Sequence, residues 1–280
     1  MPTRVIEHLR KVVLCDGAGI GDSELLGRFI ERHDGAALAA LVKRHGPMVW
    51  GVCRRLLGHH DAEDAFQATF LVLVRKAASV MPREMVGNWL YGVAHQTALQ
   101  ARRSAARRKT REVQVTKMPD TEAVQQDRWP DLQPLLDQEL SRLPNHYRAV
   151  IVLSDLECKT RKEVAHLLGL PEGTVASRLV RARSLLAKRL TRRGVALSCG
   201  ALAAALSRNV ASSAMPASVV DSTIKAASLF AAGQAAISTE VATLAEGVLK
   251  TMLLTKLKSV TAVLSPRDAV ADQADHGRDD

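Results

Sequence analysis

Across most of this chain apolar residues return every three or four positions, the spacing that places them on one face of an α-helix. The pattern is sharpest over residues 153–190. Val164, Leu167 and Leu168 share one short helical face, Gly169 supplies a left-handed stop, and Pro171 suits the first turn of a following helix. Thr160 and Glu163 have capping-box spacing at the front of the first helix. In the second helix Val175, Leu179, Ala182, Leu186 and Leu190 fall in one narrow stripe, with Thr174, Ser177, Arg181, Lys188 and Arg192 on the far side. One face can pack while the other offers hydroxyls and guanidinium groups, which suits the major groove of DNA. A basic stripe alone would fit a solvated bundle helix better; the full order of cap, helix, glycine, turn, proline and basic helix favours a helix-turn-helix.

Shorter periodic runs precede it. Asp22-Ser23 is expected to cap a helix over 24–32, and two further helices over 36–45 and 48–57 are expected to be separated by Gly46-Pro47. Over 61–78, Phe66, Phe70, Leu73 and Ala77 form a packing stripe, while Asp61, Asp64, Ala65, Ala68 and Val72 make an opposite face of small residues edged by carboxylates. The carboxylates could simply serve the helix dipole, or the face could accept a helix of another protein. Residues 86–108 form the next helix, with Trp89, Leu90, Val93 and Thr97 inward and Asn88, Tyr91, His95, Leu99 and Arg102 on a second face. It ends in Arg102-Arg103 and Arg107-Arg108-Lys109, a basic cluster that suits opened or single-stranded DNA beside stacking rings.

Residues 113–134 lack a period and hold Pro119, Pro130 and Pro134, the marks of a linker. A short helix over 135–142, a break at Leu143-Pro144 and a run over 147–156 lead into the helix-turn-helix. Beyond 195 the pattern predicts helices over 201–208, 217–232 and 237–264, with Pro216 and Gly233 as breaks and Val241, Leu244, Val248, Leu249 and Met252 on one face. Residues 1–21 read as a loose arm and 265–280 as a polar, acidic, disordered end. The fold class is therefore all-α: two small helical domains, 22–112 and 135–194, joined by a flexible linker and followed by a helical or partly disordered tail from 195 to 280.

Composition sharpens this picture. Aromatic residues make up 3% of the 280, which disfavours sheets, and the net charge of +10 points to an acidic partner, nucleic acid before membrane. Of the 39 Lys and Arg and 29 Asp and Glu, residues 195–280 hold seven and eight, so the basic excess belongs to the front of the chain. Cys15, Cys53, Cys158 and Cys199 form no CxxC pair, and His59-His60-Asp61 points its side chains in different directions on a helix, so no metal site or disulfide framework is expected. Neither a signal peptide nor an uninterrupted apolar run of spanning length is present, so a cytoplasmic protein is expected. With no nucleophile–base pairing and no phosphate-binding glycine loop, neither an enzyme nor a cofactor is expected.

Three segments resemble the extracytoplasmic-function (ECF) group of bacterial RNA polymerase sigma factors: DAEDAFQATF at 61–70, NWLYGVAHQTA at 88–98 and EVAHLLGLPEGTVASRLVRAR at 163–183. The resemblance implies that Asp61, Asp64, Gln67 and Phe70 dock on the clamp helices of core RNA polymerase. It implies that Asn88, Trp89, Tyr91, His95, Gln96, Arg102 and Arg103 read and help open the promoter minus-10 element, with Arg107 in the same basic cluster. Thr174, Ser177, Arg178 and Arg181, with Lys188 farther along, would read the minus-35 element. The chain departs from common family residues at Gln96, Gln100, Cys158 and Arg161. Core polymerase and promoter DNA are the implied partners, and an anti-sigma factor or self-inhibition by the tail is a further one. A stand-alone helix-turn-helix regulator and a scaffold that meets membrane through its tail remain as rivals.

Overall fold

The structure is a computed structural model in which residues 20–113, 129–195, 200–202, 206, 215–234 and 237–264 are described. The arm, most of the linker and the acidic end lie outside them, as do Cys15 and Cys199. Ten α-helices are named in chain order: α1 (Asp22–Arg32), α2 (Gly35–Leu56), α3 (His59–Lys76), α4 (Val86–Val113), α5 (Trp129–Ser141), α6 (Asn145–Ile151), α7 (Arg161–Leu168), α8 (Glu172–Thr191), α9 (Ala217–Ala231) and α10 (Thr239–Leu264). No strand occurs among the described residues, as the period-3.6 patterning predicts.

Three local expectations give way. Gly46-Pro47 does not divide α2, which runs through it. An interior proline costs roughly 3 kcal/mol, yet Leu38, Leu41, Val42, Val49, Trp50 and Val52 along the same helix are almost wholly buried and hold it continuous. Gly21, not Asp22-Ser23, is the N-cap of α1, because the Asp22 carboxylate is directed to Arg44 and His45 instead. Helix α5 starts at Trp129, inside the expected linker, and carries Pro134 within it. Between α6 and α7 the chain widens into a π-helical turn, Val152–Leu156, and Cys158 follows in the left-handed region at φ 54°.

Helices α2, α3 and α4 pack on one another, with α1 against α2. Helices α5, α6 and α7 gather on α8, and this unit rests on the front bundle through α5 against α2 and through the π turn against α4. The tail helices α9 and α10 both lie on α3, α9 reaching α2 and α10 reaching α4. In consequence α3 is covered on every side over its middle, Ala68 through Leu73 all being buried. The hydrophobic core is continuous through all of these contacts.

A fully buried imidazole joins the front and rear units. His45 Nδ1 lies 2.8 Å from Glu157 Oε1, while its Nε2 stands 3.3 Å from Asp22 Oδ2 in an ion pair too poorly aligned for a hydrogen bond. Burial alone would push His45 down, but the Glu157 and Asp22 carboxylates outweigh it and raise the imidazole from 6.5 to about 9. A raised histidine stabilises the fold fully below its unfolded value and loses that contribution as pH climbs through the folded one. The folded chain should therefore weaken between pH 6.5 and about 9, by at most about 3 kcal/mol. Urea midpoints across that window check this, and His45→Gln should flatten the dependence.

Candidate functional site

The helix-turn-helix is built by short-range chemistry. The Glu163 N–H donates to Thr160 Oγ1 at 3.3 Å, and the Thr160 N–H donates to the Glu163 carboxylate at 2.7 Å, closing the capping box. Gly169 ends α7 at φ 61°, ψ 37°, and Pro171 caps the next helix. Val175, Leu179, Ala182, Leu186 and Leu190 are all buried, so the stripe of α8 is fully used in packing. Each Leu or Val so buried stabilises the fold by roughly 1.5–3 kcal/mol. Its outer face carries Ser177, Arg181 and Lys188 exposed to solvent, with Thr174 and Arg178 half-buried at its edge. The Ser177 hydroxyl donates to the Thr174 carbonyl at 3.0 Å. Val180, 66% exposed beside Arg181, adds an apolar group to this face. A search of the sequence for charges and hydroxyls does not find it; only an apolar residue standing outside the buried stripe betrays it. Behind the face, Arg183 pairs with the buried Asp155 of the π turn, Nε donating to Oδ2 at 3.2 Å.

On α4 the structure brings Asn88, Tyr91 and His95 together on one face, and α5 and α6 cover that face. Asn88 Nδ2 donates to Asn145 Oδ1 at 2.7 Å, and its own Oδ1 accepts from Arg148 Nε at 3.0 Å. The Tyr91 hydroxyl donates to Asp137 Oδ1 at 3.0 Å. Arg55 grips the same carboxylate with two hydrogen bonds, Nε at 2.6 Å and Nη2 at 2.9 Å. Burial and the Asp137 charge both push the Tyr91 phenol well above its usual value. His95 stacks on Tyr91 with ring centroids 6.5 Å apart, and burial pushes its imidazole down, favouring the neutral ring. Trp89 is half-buried against the core, whereas Gln96, Arg102, Arg103 and Arg107 stay exposed.

On α3, Asp61, Asp64 and Gln67 are partly exposed along one edge, and Phe70 is fully buried, its ring 5.1 Å from that of Phe66. Ala65, Ala68 and Val72, which continue the Asp61 and Asp64 face, have no exposed surface. Asp64 is raised first by burial and then by nearby carboxylates including Glu240 of α10, against the lowering effect of His60. Asp61 meets Arg108 of α4 at 3.1 Å in an exposed pair that adds little stability. Among the described residues no cluster of His, Cys, Asp or Glu could hold a metal ion, and no helix is long and apolar enough to cross a membrane. Cys53 is a buried free thiol pushed up to about 12 by desolvation, and Cys158 is free and exposed.

Residues 41–108 match the family described as Sigma-70 region 2, and residues 134–186 match Sigma-70, region 4. The ECF RNA polymerase sigma factor SigM of Mycobacterium tuberculosis is 30% identical over 185 residues, 63% of this chain and 91% of that protein. The ECF RNA polymerase sigma factor SigE of Mycolicibacterium smegmatis is 33% identical over 155 residues, 52% of this chain and 58% of that protein. Among solved structures, the sigma factor RpoE in complex with the anti-sigma factor NepR from Bartonella quintana matches at 24% identity over 54% of this chain and 94% of that one, with a TM-score of 0.26.

The buried carboxylate between Arg55 and Tyr91 gives a direct test of this arrangement. Asp137→Ala would strand a guanidinium that is only 7% exposed, at an expected cost of about 3–5 kcal/mol in urea denaturation. The double change Arg55→Met with Asp137→Leu should recover most of that loss, because it removes both charges together.

Proposed function

The chain belongs to the ECF group of RNA polymerase sigma factors, and we propose a division of labour among its helices within that role. It is an initiation factor rather than a catalyst: it binds core RNA polymerase and directs transcription to particular promoters, and it works in the cytoplasm. The observation that carries the reading is the pair of matched regions in their order, 41–108 before 134–186, with α8 packed on one side and basic on the other.

Residues 22–112 form the domain that docks on polymerase and meets the minus-10 element; a linker leads from there to the start of α5 at Trp129, and the minus-35 domain runs from α5 to residue 194. Asp61, Asp64, Gln67 and Phe70 belong to the docking helix, Phe70 from within the core, where it shapes the face. Exposed Arg102, Arg103 and Arg107 neutralise phosphates, while Trp89 and Gln96 stand next to the opened bases. Asn88, Tyr91 and His95 serve the same element once α5 and α6 move off α4, since their polar atoms are engaged by Asn145, Arg148 and Asp137 or buried. On α8, Thr174, Ser177, Arg178 and Arg181 reach base edges, Val180 offers an apolar contact to a thymine methyl, and Lys188 holds the backbone.

In vitro transcription from a genomic DNA library with core polymerase tests the role and returns the promoter sequence; absence of chain-dependent transcripts would refute it. Arg181→Ala is expected to weaken minus-35 recognition by about 1–3 kcal/mol while leaving polymerase binding intact. Promoter affinity should fall by roughly 10³–10⁵ between about 50 and 200 mM salt if about six to ten phosphates are contacted. A flat salt titration would contradict that phosphate-dominated binding.

A further inference from the structure

Residues 195–280 lie beyond both matched regions, yet their helices are seated on the front bundle. Helices α9 and α10, consecutive in the chain and called the hairpin for short, each bury one face, Val219, Val220, Ala226 and Ala227 on α9 and Val241, Leu244, Val248 and Leu249 on α10. Both helices lie on α3, a helix on which Ala65, Ala68 and Val72 are fully buried.

The seating is specific. The Arg75 guanidinium near the end of α3 sits 4.9 Å from the centre of the Phe230 ring of α9. At Gly247, α10 comes so near α4 that an added Cβ would stand 1.7 Å from Gln100 Nε2. A cleft between these two helices is lined by Gln96, Gln100 and Arg103 on one side and Gly247 and Thr251 on the other. The hairpin thus lies along α3 and borders the basic end of α4. One contact works against it: Glu240 faces Asp64 charge to like charge.

We propose that the α9–α10 hairpin and core polymerase are alternative occupants of one face of α3, so that the C-terminal extension withholds this sigma factor from polymerase until it lifts. The two cannot sit there together, because α9 and α10 already lie along α3, with Arg75 against the Phe230 ring. The proposal rests on α3 being the helix that docks on polymerase. The occupant is committed by the chain's own packing: the apolar faces of α9 and α10 lie on α3, and Gly247 brings α10 close against Gln100 of α4.

The test uses the full-length chain. Gly247→Trp places an indole where Gln100 can yield to a methyl group but not to a ring system. Amide hydrogen exchange over α9, α10 and α3 reports whether the hairpin lifts, and equilibrium binding to core polymerase reports the consequence. The expected result is faster exchange over the hairpin and the α3 face, with polymerase binding at least about tenfold tighter, since a closed population divides the intrinsic Kd by the fraction open and so weakens binding. Faster exchange with measurable but unchanged polymerase affinity would overturn the occlusion and leave α3 docking in place. Released hairpin with no polymerase binding by either chain would overturn the docking itself, and the occlusion with it. Should Gly247→Trp unfold the chain, Leu244→Asp removes an anchor of the hairpin without adding bulk and is judged by the same two readouts.

Discussion

Asp137 carries a charge with no exposed surface, and the relation between the two halves of this molecule turns on how that charge is satisfied. Desolvating a carboxylate costs several kcal/mol, so the residue persists only because Arg55 meets it with two hydrogen bonds and Tyr91 with a third. Arg55 comes from α2, Tyr91 from α4 and Asp137 from α5. Three helices are thereby held at one point, and the register of α5 and α6 over α4 follows from it. The Asn88, Asn145 and Arg148 contacts fall into place along the same seam, and His45 with Glu157 closes its other end. A purely apolar seam would be indifferent to small slips; hydrogen-bonded ions tolerate one geometry.

The chemistry of that seam also bears on function. The α4 side chains at that seam are an amide, a phenol and an imidazole, groups suited to hydrogen-bonding or stacking with bases. The same features that let them satisfy a neighbouring helix would let them satisfy DNA in the proposed role. Ion pairs and hydrogen bonds can be exchanged for equivalent ones at modest net cost, whereas dismantling the alanine- and leucine-lined core could not be.

Helix α3 shows the complementary principle. Alanine at 65 and 68 contributes little apolar area of its own, but it allows close packing over a long contact. The carboxylates on its rim remain partly solvated, so one helix combines an adhesive centre with a charged border. Within this chain the C-terminal helices α9 and α10 lie on the same helix.

What was legible from sequence was local. The capping box at Thr160, the stop at Gly169 and the buried stripe of α8 each depend on residues within a few positions of one another, so spacing alone determined the helix-turn-helix and which of its faces would be polar. The faces of α3 and α4 were legible for the same reason, as were the core positions Val241 to Leu249 of α10. Continuity of α2 through Pro47 was not, because the local penalty is offset by burial against α1, α3, α4 and α9. Asp22 leaves the N-cap of α1 for partners more than twenty residues away. The covering of Asn88, Tyr91 and His95 by α5 and α6, and the seating of α9 and α10 on α3, joins segments far apart in the chain. Periodicity says that a face wants a partner; only the tertiary structure decides which partner, because that depends on the volumes and charges of surfaces that meet after the chain has folded.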